Sequence, residues 1–141
     1  VVIAGTGSSA SYTGLKGYPL TVDATIDQVS AEGVDAVVVP GGYAPDRLRR
    51  YPAILRLVRE ACQQGKVVAA ICHAPWVLVS AGILKGKRVT CFYAIADDVR
   101  NAGADHIDAE VVRDGNIITS RQPSDLGAFC REIIRALTET K

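Results

Sequence analysis

Cys72 and His73 are the residues through which this chain can do chemistry. They stand at the end of an uninterrupted apolar run, Val67-Val68-Ala69-Ala70-Ile71, and are followed by Ala74-Pro75-Trp76-Val77-Leu78 and Ser80-Ala81-Gly82. An apolar run without a polar member suits a central strand of a parallel sheet covered on both faces. The stretch after it reads as a short helix ended by glycine. A cysteine on the turn between strand and helix has its sulfur lifted clear of the sheet, and amides at a helix start favour its thiolate. That is the setting of a nucleophile; the plain alternative is a small residue buried at a strand end.

Val34-Asp35-Ala36-Val37-Val38-Val39 is a second buried-strand candidate, and it ends in Pro40-Gly41-Gly42. Glycines let backbone amides approach a ligand closely, so Gly41 and Gly42 can form an oxyanion hole or, more simply, a tight turn. Between the two strands Ile54, Leu55, Val58, Ala61 and Cys62 follow helical spacing from Tyr51 to Gln64, with Gly65 as the stop. Strand, helix and strand in that order imply parallel strands joined by a right-handed crossover. Both loops then lie at the carboxyl ends of their strands, where open α/β sheets bind ligands. The turn at Cys72 is similar to a nucleophile elbow, although the G-x-S-x-G pattern is absent.

The remaining elements must hold this pair of loops. Val1 to Gly5 reads as a buried strand, Thr6 to Ser11 as a polar connection, and the pieces around Gly14 and Gly17 as a hairpin at a sheet edge. Thr25 to Val29 is long enough for one helical turn. Lys87 to Phe92 is a short strand and Ile95 to Ala102 a short helix stopped by Gly103. Glu110 to Arg113 and Asn116 to Ser120 flank an Asp114-Gly115 hairpin turn. Leu126, Phe129, Cys130, Ile133, Ile134 and Leu137 form an amphipathic stripe after Pro123-Ser124, which makes Cys130, like Cys62, a packing residue.

With 141 residues the chain is expected to form a single domain over 1–141. It opens directly on a strand, as if in mid-domain, and has no methionine, which reads as N-terminally incomplete; initiator removal before valine is the other account of the missing methionine. Sixteen basic against fifteen acidic residues give a net charge of +1, so no global field draws nucleic acid or an acidic membrane. The run Arg47-Leu48-Arg49-Arg50 reads as the solvated face of a helix start. The cysteines stand singly, without C-x-x-C or histidines at ligand spacing, and no G-x-G-x-x-G is present. No metal and no cofactor is expected, and a reducing, cytoplasmic setting is. His106, in Asp105-His106-Ile107-Asp108, reads as a surface residue.

Several motifs in order carry a resemblance that runs nearly end to end. They are Tyr12-Thr13-Gly14 with Gly17-Tyr18, Val22-Asp23, Pro40-Gly41-Gly42 with Ala44-Pro45, Ala70-Ile71-Cys72-His73 and Ser80-Ala81-Gly82. They continue through Asp97-Asp98, Asn101-Ala102-Gly103, Asp108 to Val112, and Ser120-Arg121 with Pro123 and Asp125-Leu126. On these the chain resembles the DJ-1/PfpI superfamily, nearest the PfpI-type intracellular proteases and the deglycases. The resemblance implies a flavodoxin-like, class I glutamine amidotransferase-like three-layer α/β sandwich with a mostly parallel central sheet. It implies catalytic roles for Cys72, His73 and Asp46, and oxyanion or substrate contacts from Gly41, Gly42 and His73. Asp46 stands where PfpI-type proteins carry an acidic residue, usually Glu, that reaches the histidine of an adjacent subunit. A homo-oligomer, a dimer or hexamer, is therefore implied, with Asp46 contributed across an interface.

The chain departs from the pattern twice. Family members begin with a strand and a helix carrying a glutamate that hydrogen-bonds the nucleophilic cysteine, and no residue here matches it, so the chain is either a fragment or has lost that acid/base. Phe92, next to Tyr93, stands where many relatives have an aromatic hydroxyl. The expected activity is addition of Cys72 to a small dicarbonyl or to glycated protein, as in glyoxalase III-like or deglycase enzymes. A cysteine peptidase acting on peptides through His73 is one alternative. The other is a redox sensor or holdase without catalysis.

Overall fold

The computed structural model describes residues 1–139. The strands are β1 (Ala4–Gly5), β2 (Ser11–Thr13), β3 (Pro19–Thr21), β4 (Ala24–Thr25), β5 (Ala36–Val39), β6 (Val67–Ile71), β7 (Arg88–Val89), β8 (Asp105–His106), β9 (Val111–Asp114) and β10 (Ile117–Ser120). The helices are α1 (Ala44–Leu48), α2 (Pro52–Gln63), α3 (Pro75–Ala81), α4 (Ala96–Asn101) and α5 (Leu126–Glu139). The central sheet runs β5-β6-β10-β9. β5, β6 and β10 are parallel, and β9 returns antiparallel beside β10 across the Asp114-Gly115 turn, with Asp114 facing Ile117.

β6 explains the layering. Its five residues are all buried, and successive side chains go to opposite faces. Val68 and Ala70 join a core with Ile54, Leu57, Val58 and Ala61 of α2, Val77 and Leu78 of α3, and Val99 of α4. Val67, Ala69 and Ile71 join Ile118 and, from α5, Phe129 and Ala136. A helix layer on each face of a mostly parallel sheet is the α/β sandwich expected. No helix among the described residues is long and apolar enough to cross a membrane.

Helix ends follow the local chemistry. α2 starts on Pro52 and is closed by Gly65 at φ 73°; α3 starts on Pro75 and is closed by Gly82 at φ 72°. The Asn116 amide, at the start of β10, donates to the carbonyls of Cys62 at 2.9 Å and Lys66 at 2.7 Å. One side chain thus ties the end of α2 and the entry to β6 to the neighbouring strand.

Three expectations need correction. Val1 and Val2 are exposed, and among the described residues β1 pairs only with the short β4 in a separate parallel ladder, so the opening apolar run is not a buried strand. β5 pairs with β6 alone among the described residues, which leaves Val38 52% exposed; an edge strand lacks the second neighbour that would cover it. On α5 the inward stripe is Phe129, Ile133, Ala136 and Leu137, while Cys130 and Ile134 face outward. One sheet face covers only one stripe of a helix, and counting Ala136 as apolar turns that stripe away from Cys130. The hairpin is found, as β2 paired with β3, but in a two-stranded sheet of its own.

Replacing Asn116 with alanine leaves two carbonyls without their amide donor. The expected loss is about 1–3 kcal/mol in urea unfolding. An unchanged unfolding midpoint would show that the amide does not clamp the α2–β6 connection.

Candidate active site

The site is set by a backbone constraint. Cys72, immediately after β6, has φ 65°, and among the described residues no other non-glycine residue has a positive φ. The left-handed region brings Cβ against the backbone and costs about 1–2 kcal/mol for a residue with a side chain. Tertiary bonds hold the turn there: Cys72 N–H donates to Ser120 O at 3.0 Å, and Phe92 N–H donates to Cys72 O at 3.0 Å. The neighbouring strand also makes room. A Cβ on Gly41 would lie 2.7 Å from Cys72 Cβ, 3.0 Å from Ile71 O and 3.5 Å from Cys72 Sγ, so only glycine fits beside the sulfur. Gly42, at φ 72°, turns the chain away into α1.

This backbone brings the adjacent side chain back to the sulfur. In an ordinary turn His73 would point away from Cys72; here Cys72 Sγ lies 3.3 Å from His73 Nδ1. Burial among rings lowers the pKa of His73 below its ordinary value, so it is a neutral imidazole near neutrality. Phe92 lies 4.9 Å from His73 between ring centroids and Trp76 lies 5.1 Å from it. A neutral imidazole at this distance can take the thiol proton as the sulfur attacks, with the glycine loop beside it for a developing oxyanion.

The helix behind the turn contributes less than expected. Pro75 has no N–H, and the amides of Ala74, Trp76 and Val77 donate to the carbonyls of Ile71, His73 and Ala74 within the turn. Those donors are spent on the backbone and do not surround the sulfur.

Asp46 lies in the first turn of α1 and forms an ion pair with Arg50; Arg50 Nε–H also donates to the Asp46 carbonyl at 3.1 Å. No bond among those described joins Asp46 to His73 of the same chain. The structure therefore brings Cys72, His73 and Gly41 together, with Gly42 at the rim, and holds Asp46 on a different partner. His106 is half-buried: Arg100 Nη2 donates to its Nδ1 at 3.2 Å, which places the imidazole proton on Nε2. A cavity of about 670 Å³ opens there, lined by Cys91, Phe92, Tyr93, Arg100, His106 and Arg121, and Cys72 is not among its walls.

Two residues packed on Trp76, which itself lies against His73, escaped the sequence reading. Tyr43 packs edge-on against Trp76 at 6.1 Å, and Arg49 lies over the Trp76 ring at 5.6 Å, its Nε–H donating to Ser80 Oγ at 2.9 Å. Arg49 is thus turned inward from a run that looked solvated. The available signal was position alone: Tyr43 directly follows Gly41-Gly42, and Trp76 is three residues beyond His73. Of the side chains near the nucleophile, Phe92 supplies no hydroxyl and the adjacent Tyr93 is exposed.

Cys72→Gly is expected to be more stable than Cys72→Ala by about 1 kcal/mol in thermal or urea unfolding, because alanine keeps the Cβ and with it the strain. Equal stabilities would mean the turn is not strained. Gly41→Ala should distort the turn and slow alkylation of Cys72.

Comparison with known proteins gives a consistent answer. The DJ-1/PfpI family description matches residues 1–136. Deglycase PH1704 of Pyrococcus horikoshii is 47% identical over 125 residues, which cover 89% of this chain and 75% of that protein. Protein/nucleic acid deglycase 2 of Escherichia coli is 44% identical over 119 residues, covering 84% of this chain and 69% of that one. A two-domain protein of Anabaena variabilis, with DJ-1/ThiJ/PfpI-like and ferritin-like domains, superposes with a TM-score of 0.94 at 46% identity. That match covers 97% of this chain and 40% of the two-domain protein, so the chain spans well under half of it. With the fold, the strained cysteine turn and these matches in agreement, the chain belongs to the DJ-1/PfpI family.

Proposed function

We propose that the chain is a cysteine-dependent enzyme acting on reactive dicarbonyls or on their adducts with protein, with Cys72 as nucleophile. The observation that carries the reading is the left-handed Cys72 whose sulfur lies 3.3 Å from His73 Nδ1, in a chain 47% and 44% identical to relatives named deglycases.

The chemistry follows from that contact. Sγ forms a bond to the aldehyde carbon of a 2-oxoaldehyde, the thiol proton passes to His73, and the new alkoxide is met by the Gly41-Gly42 loop. The resulting hemithioacetal carries a hydrogen next to a ketone. Removing that proton gives an enediolate, and returning it to the neighbouring carbon gives a thioester. Water then releases the 2-hydroxyacid and restores the thiol. Starting from an adduct on a basic side chain, Sγ bonds to the carbinol carbon as the C–N bond breaks. The thiol proton, relayed by His73, leaves on the freed nitrogen. Both routes meet at the same hemithioacetal, and neither calls on a cofactor.

Asp46 enters this reading as a contribution from another subunit of a homo-oligomer, a dimer or hexamer, where it would meet His73. Its place on α1, clear of its own His73, is what supports that arrangement. All four cysteines are free, which fits a reducing, cytoplasmic setting. The close Cys72–His73 contact also favours a second reading, a cysteine peptidase using the same two residues on a peptide carbonyl.

Lactate should form from methylglyoxal with wild-type protein and not with Cys72→Ser. Absence of lactate from both, with cleavage of peptide substrates, would transfer the assignment to the peptidase. The pH dependence has a definite sign. Burial lowers the His73 pKa, so the base is present above that lowered value and is lost as pH falls through it. The acid limb of kcat/KM should therefore lie below about 6.5, the ordinary imidazole value, and should shift in His73→Gln.

A further inference from the structure

We propose that the cavity walled by Arg100, His106 and Arg121 is a second binding site, separate from the nucleophile, for a small molecule that carries a phosphate monoester. The proposal goes beyond the carbonyl chemistry and does not rest on it. The cavity, of about 670 Å³, has the size of a small-molecule site, and neither Cys72 nor His73 is among its walls. Phe92 is the partition: its ring lines the cavity and lies 4.9 Å from the His73 ring. The place where a second subunit's Asp46 would meet His73 is thus outside the cavity.

Each arginine of the wall has one well-held partner and one exposed partner. Arg121 donates from Nε and Nη2 to Asp125 at 2.8 and 3.3 Å, and that carboxylate is buried, at 6% exposure. Its Nη1 donates instead to Asp108 at 2.7 Å, a carboxylate that is 80% exposed. Arg100 repeats the arrangement. Its Nη2 donates to Nδ1 of the half-buried His106 at 3.2 Å, and its Nη1 to Asp97 at 2.9 Å, which is 91% exposed. An ion pair held in water is worth about 0–1 kcal/mol. The two outer carboxylates can therefore be exchanged for the oxygens of a ligand at little cost, while the inner partners keep the guanidiniums in place.

A third donor of the same wall has nothing to bind. Because His106 Nδ1 accepts from Arg100, the imidazole proton lies on Nε2, and that atom is buried without a hydrogen-bond partner among the described residues. A buried N–H left unpaired costs about 1–3 kcal/mol, which a ligand oxygen that reached it would recover. Of the charged walls, Arg100 and Arg121 are cations, and Asp108 is the anion that the ligand displaces. A phosphate monoester matches this set. Near neutral pH it carries a charge of about −1.5 to −2 on three acceptor oxygens, so one group replaces both outer carboxylates. A carboxylate carries a single charge and replaces only one of them. The body of the ligand would lie on Cys91, Phe92 and Ala96, the apolar part of the wall.

The full chain would be titrated by calorimetry with glycerol 3-phosphate, with glycerate and with glycerol. Saturable binding of the phosphate is expected, about ten-fold tighter than that of glycerate, with no heat from glycerol. Arg100→Gln should weaken it about ten-fold, the loss of a charge-assisted hydrogen bond. Asp108→Asn should tighten it about two- to five-fold by removing the competing carboxylate. A gain in affinity is a result that a damaged fold does not imitate. No binding of glycerol 3-phosphate, equal binding of glycerate, or an affinity unchanged by both substitutions would overturn the site. Cys72→Ser should bind the phosphate as wild type does; loss of binding there would place the ligand at the nucleophile and remove the second site.

Discussion

The left-handed backbone at Cys72 is the constraint on which the rest of this structure depends. Its cost is met by a frame that cannot easily relax: the Cys72 amide on Ser120 of β10, its carbonyl on the Phe92 amide, and Gly41 of the β5 loop pressed against its Cβ. Three neighbouring segments converge on one residue. Strain of this kind persists only when its surroundings over-determine it, and a site whose reactive atom must project from the sheet is where it serves a purpose. The same φ directs His73 back to the sulfur, so a pair adjacent in sequence becomes a pair in space.

Much of this was legible because it rests on local chemistry. An all-apolar Val67–Ile71 can be stable only between two layers, and it is; Gly65 and Gly82 end their helices in the conformation that favours glycine. What escaped depends on neighbours that a periodicity does not contain. Val38 reads as buried from its own composition, but exposure is decided by the strand next to β5. Cys130 reads as core until the direction of the sheet fixes which stripe of α5 faces inward. Arg49 reads as solvated because its partners, Trp76 and Ser80, are about thirty residues away on α3. For the same reason the ring contacts of Tyr43, Trp76, His73 and Phe92 were invisible: they come from three separate stretches, and only the closeness of β5, β6 and the Phe92 segment unites them.

The electrostatics of His73 then help to choose between the two reactions that a cysteine–histidine pair can perform. Burial lowers the His73 pKa below its ordinary value, which favours the neutral imidazole. Peptide hydrolysis requires the histidine to hold a proton until a poor amine leaving group departs. Rearrangement of a dicarbonyl asks less. Thiols add to aldehydes readily, and the proton taken in that step, like the one moved between adjacent carbons afterwards, needs only brief residence on the imidazole. A histidine that resists lasting protonation is therefore better matched to the carbonyl chemistry than to the amide. The close Cys72–His73 contact permits both reactions, and its environment favours the first.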